Sequence, residues 1–245
     1  MSSSTTEQNE ILDKSNPIPE LLSNPTKTII FALPGREFSR HFLLSWSSLL
    51  FELIKRNIKP IISQNYSSMV HFSRMRCLGG DVLKGPNQVP YQGQIEYDYI
   101  CMIDSDIVFN PDDFFKLLDS PYDVTAVPYL MEDTKHYTIV KDMNEDYFLK
   151  HGTFPFLTPD EVEKIPKVNG KYFEAAYTGL GFTLIKKGVI DKIQYPWFSS
   201  PMMKIGELQD MCSEDVSFCK NLQASGTKIM IDGSLRVGHY KSFVI

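Results

Sequence analysis

Two carboxylates one residue apart close an apolar run in this chain. Tyr99-Ile100-Cys101-Met102-Ile103 leads into Asp104-Ser105-Asp106, followed by Ile107-Val108-Phe109 and Asn110-Pro111-Asp112-Asp113. A run of that length and content reads as a fully buried strand, too short for a helix. Asn110 can cap a helix whose first position is Pro111. Asp104 and Asp106 are therefore expected where a buried strand leaves its sheet. In open α/β sheets ligands bind at that end. Two carboxylates crowded there repel each other unless a cation or ligand compensates. Such a pair suits a divalent metal that carries a phosphorylated substrate.

Other residues can serve the same chemistry, and each also has a plain structural reading. Glu214-Asp215 opens a helical stretch, where acidic side chains favour the helix dipole but can also take a proton from a hydroxyl. His239 sits between Gly238 and Tyr240, just before Lys241. A lone histidine is more often structural, although a neutral imidazole suits Mn²⁺. Arg74 and Arg76 precede Cys77 and Gly79-Gly80, as a solvated helix face or as an anion contact. Arg36 follows Pro34-Gly35, and its guanidinium fork suits a phosphate or a base. Gly179-Leu180-Gly181 is either a hairpin turn or a close backbone approach to a sugar. Tyr195-Pro196-Trp197-Phe198 either stacks on an acceptor or packs into the core. His41, His71, His136 and His151 have no such context.

Those residues need a scaffold. The 245 residues are 42% hydrophobic and 22% charged, an ordinary globular composition. The net charge of −5 argues against a general nucleic-acid-binding surface but leaves room for a local basic pocket. Cys77, Cys101, Cys212 and Cys219 form no CxxC pair and read as reduced thiols. Cys212 and Cys219 lie about two helical turns apart, roughly 10 Å, too far for a bridge. No apolar stretch reaches the ~18 residues of a spanning helix. The start, Met1 to Glu7, is polar and lacks a signal core. A soluble, cytoplasmic chain is the expectation, or one that reaches a membrane through a partner.

Residues 1–26 are rich in Ser, Asn and Pro and are expected to be a flexible lead-in. Strands are expected at 28–33, 60–63, 99–103 and 123–127. Helices are expected from Ser39 to about Arg56, over 67–78 and over 111–119. The first of these should face inward with Phe42, Leu43, Trp46, Leu49, Leu50 and Leu53. Strand–helix alternation argues a parallel, doubly wound sheet. Beyond 129 the pattern changes. A short helix at 158–164 carries a Thr158/Glu161 capping box. Strands are expected at 171–178, 182–185 and 227–231, and a helix at 213–225.

The order of these features resembles the GT-A glycosyltransferases, family-2-like enzymes in particular. The resemblance covers about residues 27–241. It rests on the Ala32-Leu33-Pro34-Gly35-Arg36 strand end, the Arg74-Met75-Arg76 helix, Asp104-Ser105-Asp106, and Ser213-Glu214-Asp215 followed by His239. It implies a GT-A type α/β fold: a doubly wound, mostly parallel nucleotide-binding sheet with a mixed acceptor-side half. The whole of 27–245 would be one glycosyltransferase domain, 27–128 binding the nucleotide-sugar and 129–245 the acceptor.

The resemblance also implies roles. Asp106 and His239 would hold Mn²⁺ or Mg²⁺. Pro34, Arg36, Glu37, Arg74, Asp104, Ser105 and Lys241 would contact the nucleotide-sugar, with Asp104 on the nucleoside and Lys241 at the diphosphate. Asp215 would be the general base, with Glu214 as orienter or substitute. The expected reaction is transfer of a hexose-type sugar, from UDP by preference, to a hydroxyl acceptor with inversion. Three other readings stay open. Hydrophobic strand, Asp-x-Asp-x-Val also resembles the haloacid-dehalogenase phosphatases, with Asp104 as nucleophile and Asp106 as acid/base. That motif usually lies on the first strand, and no Gly-Asp-x-x-x-Asp motif follows here. A nucleotidyltransferase would want a Gly-rich loop with a basic residue after the first strand. A non-catalytic nucleotide-sugar-binding module would bind UDP without turnover.

Overall fold

The computed structural model describes residues 24–242. Residues 1–23, most of the expected lead-in, and residues 243–245 lie outside the described residues. The first half alternates as expected: β1 (Lys27–Pro34), α1 (Arg40–Lys55), β2 (Ile58–Asn65), α2 (Val70–Cys77), β3 (Tyr99–Ile103), β4 (Ile107–Val108), α3 (Pro111–Leu118) and β5 (Val124–Ala126). The second half adds β6 (Ile139–Val140), α4 (Glu145–His151), α5 (Pro159–Lys164), β7 (Tyr172–Ala175), β8 (Tyr177–Thr178), β9 (Phe182–Lys186), β10 (Met202–Ile205), β11 (Leu208–Met211), α6 (Glu214–Ala224), β12 (Ile229–Asp232) and β13 (Gly238–His239).

Seven strands form the central sheet in the order β2-β1-β3-β9-β5-β12-β7. Strands β2, β1, β3, β5 and β12 point one way, and β9 and β7 oppose them. The mostly parallel sheet with a mixed second half is thus present. Strand residues alternate between two apolar layers. Ile29, Phe31 and Leu33 pack with Trp46, Leu49 and Phe114 on one side. Ile30 and Ala32 pack with Met75, Trp197 and Phe218 on the other. The Phe31 ring meets Trp46 edge-on at 5.0 Å. Each such fully buried side chain contributes about 1.5–3 kcal/mol of transfer free energy.

Local signals set the helix starts. Ser39 Oγ accepts from the Phe42 N–H at 3.0 Å. Asp113 reaches back to the Asn110 N–H at 3.1 Å, behind Pro111 in the first position. Thr158 and Glu161 form the expected capping box, and Ser213 Oγ accepts from Val216 N–H.

Several expectations need correction. Leu43 faces out, 59% exposed. The buried stripe of α1 is Phe42, Trp46, Leu49 and Leu53, and Leu43 lies about 100° round the helix from it. The strand expected over 171–178 is two strands, because the Ala176 N–H turns to the carbonyls of Val140 and Lys141. β7 joins the main sheet and β8 pairs with β6. Helix α4 and the β10–β11 hairpin were not foreseen. Neither contains a fully buried residue, so neither shows a burial period in sequence. The hairpin turns at Gly206, whose φ of +57° favours glycine. No helix of the described residues is long and apolar enough to cross a membrane.

Candidate active site

The chain leaves β3 in a tight turn. The Asp104 N–H donates to Gly181 O at 3.0 Å, and the Ile107 N–H returns to Asp104 O at 3.1 Å. The β1 end presses on this turn, since a Cβ at Gly35 would lie 2.9 Å from the Ser105 side chain. Glycine is required there for close approach. Asp104 and Asp106 enter separate charge networks.

Asp104 faces a buried arginine. Arg74, on the last turn of α2 and only 3% exposed, places Nη1 2.9 Å from Asp104 Oδ1 and Nη2 3.2 Å from Oδ2. Its Nε lies 3.3 Å from Glu214 Oε1 and 3.6 Å from Asp215 Oδ1. One guanidinium therefore serves three carboxylates, two of them on the first turn of α6. Burial works against the Arg74 charge, but Asp104, Asp215 and Glu214 outweigh it and hold the group firmly protonated. The Asp215 carboxyl is pushed up. Burial is the main cause, Arg74 opposes it, and Glu214 and Asp104 add like charge. Asp215 Oδ1 has no hydrogen-bond partner. That oxygen is buried and faces the Arg74 Nε, so charge rather than a hydrogen bond holds it. A carboxyl with a raised pKa is matched to a base near neutral pH.

Asp106 faces the end of the chain. β13 pairs antiparallel with β4, setting His239 opposite Ile107. The Tyr240 N–H donates to Asp106 O at 2.7 Å. His239 Nε2 then lies 3.0 Å from Asp106 Oδ2, and Lys241 Nζ lies 2.8 Å from the same oxygen. Partial burial raises the Asp106 pKa, but the hydrogen bonds and charges of His239 and Lys241 prevail and lower it to about 2. His239 Nδ1 lies 2.7 Å from Leu130 O. A carbonyl only accepts, so Nδ1 carries the proton. Against the Asp106 carboxylate Nε2 must donate too, so the ring is doubly protonated here. Burial opposes that charge, but the Asp106 and Leu130 hydrogen bonds prevail and raise the His239 pKa. Loss of the Nε2 proton leaves a lone pair for a cation.

Among the described residues no three His, Cys, Asp or Glu side chains converge as a ready-made metal cluster. Asp106 Oδ2 and the tautomer-fixed His239 Nε2 nevertheless converge on one point. One carboxylate and one imidazole are a donor pair that suits Mn²⁺ or Mg²⁺. Lys241 and the protonated His239 supply the positive charge at that point in this structure.

Most other sequence candidates lie around these two networks. Pro34 is buried at the β1 end, while Arg36 and Glu37 are exposed beyond it. The Arg36 guanidinium sits 5.9 Å from the Tyr66 ring centroid. Arg74 is beneath the carboxylates rather than on a solvated helix face. Two aromatic and glycine readings resolve to packing. Trp197 and Phe198 are fully buried in the core. Gly179 and Gly181 accommodate Tyr129, not an open space for a sugar: a Cβ at Gly181 would lie 2.8 Å from the Tyr129 hydroxyl.

Tyr129 is the residue that sequence reasoning missed. Its hydroxyl accepts from the Gly181 N–H at 3.1 Å, and its ring stands edge-on to His239 at 5.1 Å. Burial first, then Asp104 and Asp215, pushes its phenol pKa up. Tyr129 thus stands between the two networks. Its only sequence signal is its place just beyond β5, where the chain leaves the sheet.

No protein-family model matches the chain, and no curated protein matches it in sequence. Among solved structures, A197 from STIV resembles it with a TM-score of 0.52 at 20% identity, over 88% of this chain and 86% of that one. That likeness extends to the fold. GalNAc-T7, crystallised with UDP, GalNAc and Mn²⁺, resembles it with a TM-score of 0.47 at 10% identity, over 89% of this chain and 45% of that one. S. aureus TarS 1–349 does so with a TM-score of 0.44 at 13% identity, over 87% of this chain and 60% of that one. The chain spans about half the length of those last two.

Proposed function

We propose that this chain is a metal-dependent glycosyltransferase that moves a sugar from a nucleotide-sugar donor, UDP-linked by preference, to a hydroxyl acceptor with inversion. The observation that supports this reading is the split of the Asp-x-Asp turn. One carboxylate faces an imidazole and an ammonium group; the other faces the arginine that carries a raised-pKa aspartate. A phosphatase reading asks Asp104 to attack phosphorus, but both of its oxygens are engaged by Arg74.

Residues 27–128 supply the nucleotide half of this unit and 129–245 the acceptor half. The β1 end with Pro34, Arg36 and Glu37, together with Asp104 and Ser105, borders the nucleoside. Asp106 and His239 would hold Mn²⁺ or Mg²⁺. Held there, the ion would supply positive charge to the departing diphosphate. Lys241 exchanges Asp106 for a phosphate oxygen. Asp215 takes the acceptor hydroxyl proton as the acceptor oxygen bonds to the anomeric carbon. The bond from that carbon to the diphosphate breaks, and its electron pair leaves with the phosphate. Glu214 shares Arg74 with Asp215 and fixes its orientation. Arg74 keeps the three carboxylates together and limits how far the base pKa climbs.

The test is thermal stabilisation by UDP with and without Mn²⁺, followed by donor hydrolysis. A nucleotide shift that depends on Mn²⁺ and disappears in Asp106→Ala is the expected result. Full metal-dependent hydrolysis by Asp106→Ala would refute the metal assignment.

A further inference from the structure

A cavity of about 250 Å³ lies against helix α6, which also carries the candidate base. Its walls are helix α4, the segment after it, the β10–β11 hairpin and the start of α6. Phe148, Phe154 and Phe156 line it, and none of the three is fully buried. Phe148 and Phe154 meet at 4.9 Å with a 44° tilt. Met143, Met203 and Met211 add to the wall, and the charged Glu145, Lys204, Asp210 and Lys220 also border it. Phenyl rings prefer an aromatic guest in offset or edge-on contact. Methionine sulfur also favours ring edges and adapts to their shape.

The cavity shares helix α6 with the candidate base but opens on a different face of it. Ser213 and Val216 belong to its wall, and Asp215 immediately precedes Val216 on α6. Phe156 packs edge-on against Tyr177 at 5.9 Å. Burial first, then the Asp215 charge, pushes the Tyr177 phenol pKa well up. Size narrows the occupant further. A cavity of about 150 Å³ holds a benzene, so this one takes a single substituted ring.

We infer that this cavity is an acceptor subsite for one aromatic ring. Its role as an acceptor subsite rests on the glycosyltransferase reading; the ring preference rests on the cavity alone.

The experiment uses the full chain and three probes with one sugar: phenyl, cyclohexyl and methyl β-glucoside. Binding is followed by ligand-observed NMR, with UDP plus Mn²⁺ titrated separately. The phenyl probe should bind at least tenfold more tightly than the methyl probe, and more tightly than the cyclohexyl one. Val216→Trp and, independently, Met203→Trp fill the cavity and should each weaken the phenyl probe at least tenfold, with an unchanged circular dichroism spectrum. Equal binding of the phenyl and methyl probes, or of the phenyl and cyclohexyl probes, overturns the aromatic subsite. So does unchanged phenyl binding in both folded filling variants. UDP binding without a phenyl preference overturns the subsite and leaves the glycosyltransferase reading intact. A phenyl preference without UDP binding keeps the ring site and overturns the glycosyltransferase reading, and with it the acceptor role.

Discussion

Replacing Arg74 by methionine tests the charge arrangement directly. The side chain volume is roughly kept and the cation is lost, leaving Asp104, Glu214 and Asp215 around a neutral thioether. At an effective dielectric constant of about 20, the 2.9 Å contact to Asp104 is worth about 6 kcal/mol of gross attraction. The 3.3 and 3.6 Å contacts to Glu214 and Asp215 are worth about 5 kcal/mol each. Carboxylate repulsion and desolvation offset most of this. Breaking a buried pair by removing one partner costs about 3–5 kcal/mol. For a chain of this size that is a fall in melting temperature of about 6–20 °C. The sign of the pH dependence follows from Asp215. Arg74 opposes the rise in its pKa, so the variant carries a larger rise. A carboxyl that stays protonated in the fold while the unfolded chain releases its proton costs stability as pH increases. The deficit of Arg74→Met must therefore be larger at pH 8 than at pH 5. Adding Asp215→Asn should recover part of it, a coupling of about 0.5–3 kcal/mol. Urea melts at the two pH values measure all of this. A loss under about 1 kcal/mol, equal at both pH values, refutes the reasoning. Arg74→Lys should fall well short of wild type, because an ammonium cannot present three nitrogens to three carboxylates.

Other outcomes follow from the same geometry. Asp215→Asn alone should raise the melting temperature by about 2–4 °C, the equivalent of about 1 kcal/mol, with a larger gain at pH 8 than at pH 5; the same variant should lose about 10²–10⁴ in sugar transfer, and retention of transfer would remove Asp215 as the base. His239→Ala should weaken Mn²⁺ binding, read by calorimetry in the presence of UDP, by at least about tenfold; unchanged affinity would take the imidazole out of the metal site. Gly181→Ala puts a Cβ 2.8 Å from the Tyr129 hydroxyl, and overpacking of that kind costs about 1–3 kcal/mol in a denaturant melt. A neutral result there would mean that Tyr129 yields freely, and that it does not hold the turn below Asp104.

How far the sequence revealed this site depends on the range of the interaction that builds each part. Strand β3, its acidic exit and the caps at Ser39, Asn110, Thr158 and Ser213 are encoded within a few residues, and the observed elements begin there. The pairing of Asp106 with His239 spans 133 residues and that of Arg74 with Glu214 spans 140. No local pattern specifies such contacts; only family order suggested that these residues belong together. It gave Arg74 a place near the site but not its burial, because a charged residue on a short helix reads by default as solvated. Three carboxylates from two other elements overturn that default, since a buried charge persists when it is paired and hydrogen-bonded. Tyr129 was illegible for a related reason: its role depends on two glycines fifty residues on that let its hydroxyl approach the backbone. The aromatic cavity follows the same logic in reverse. Its walls come from helix α4 and the β10–β11 hairpin, elements with no fully buried residue and hence no period to detect. Elements that bury little of themselves are free to bury a ligand.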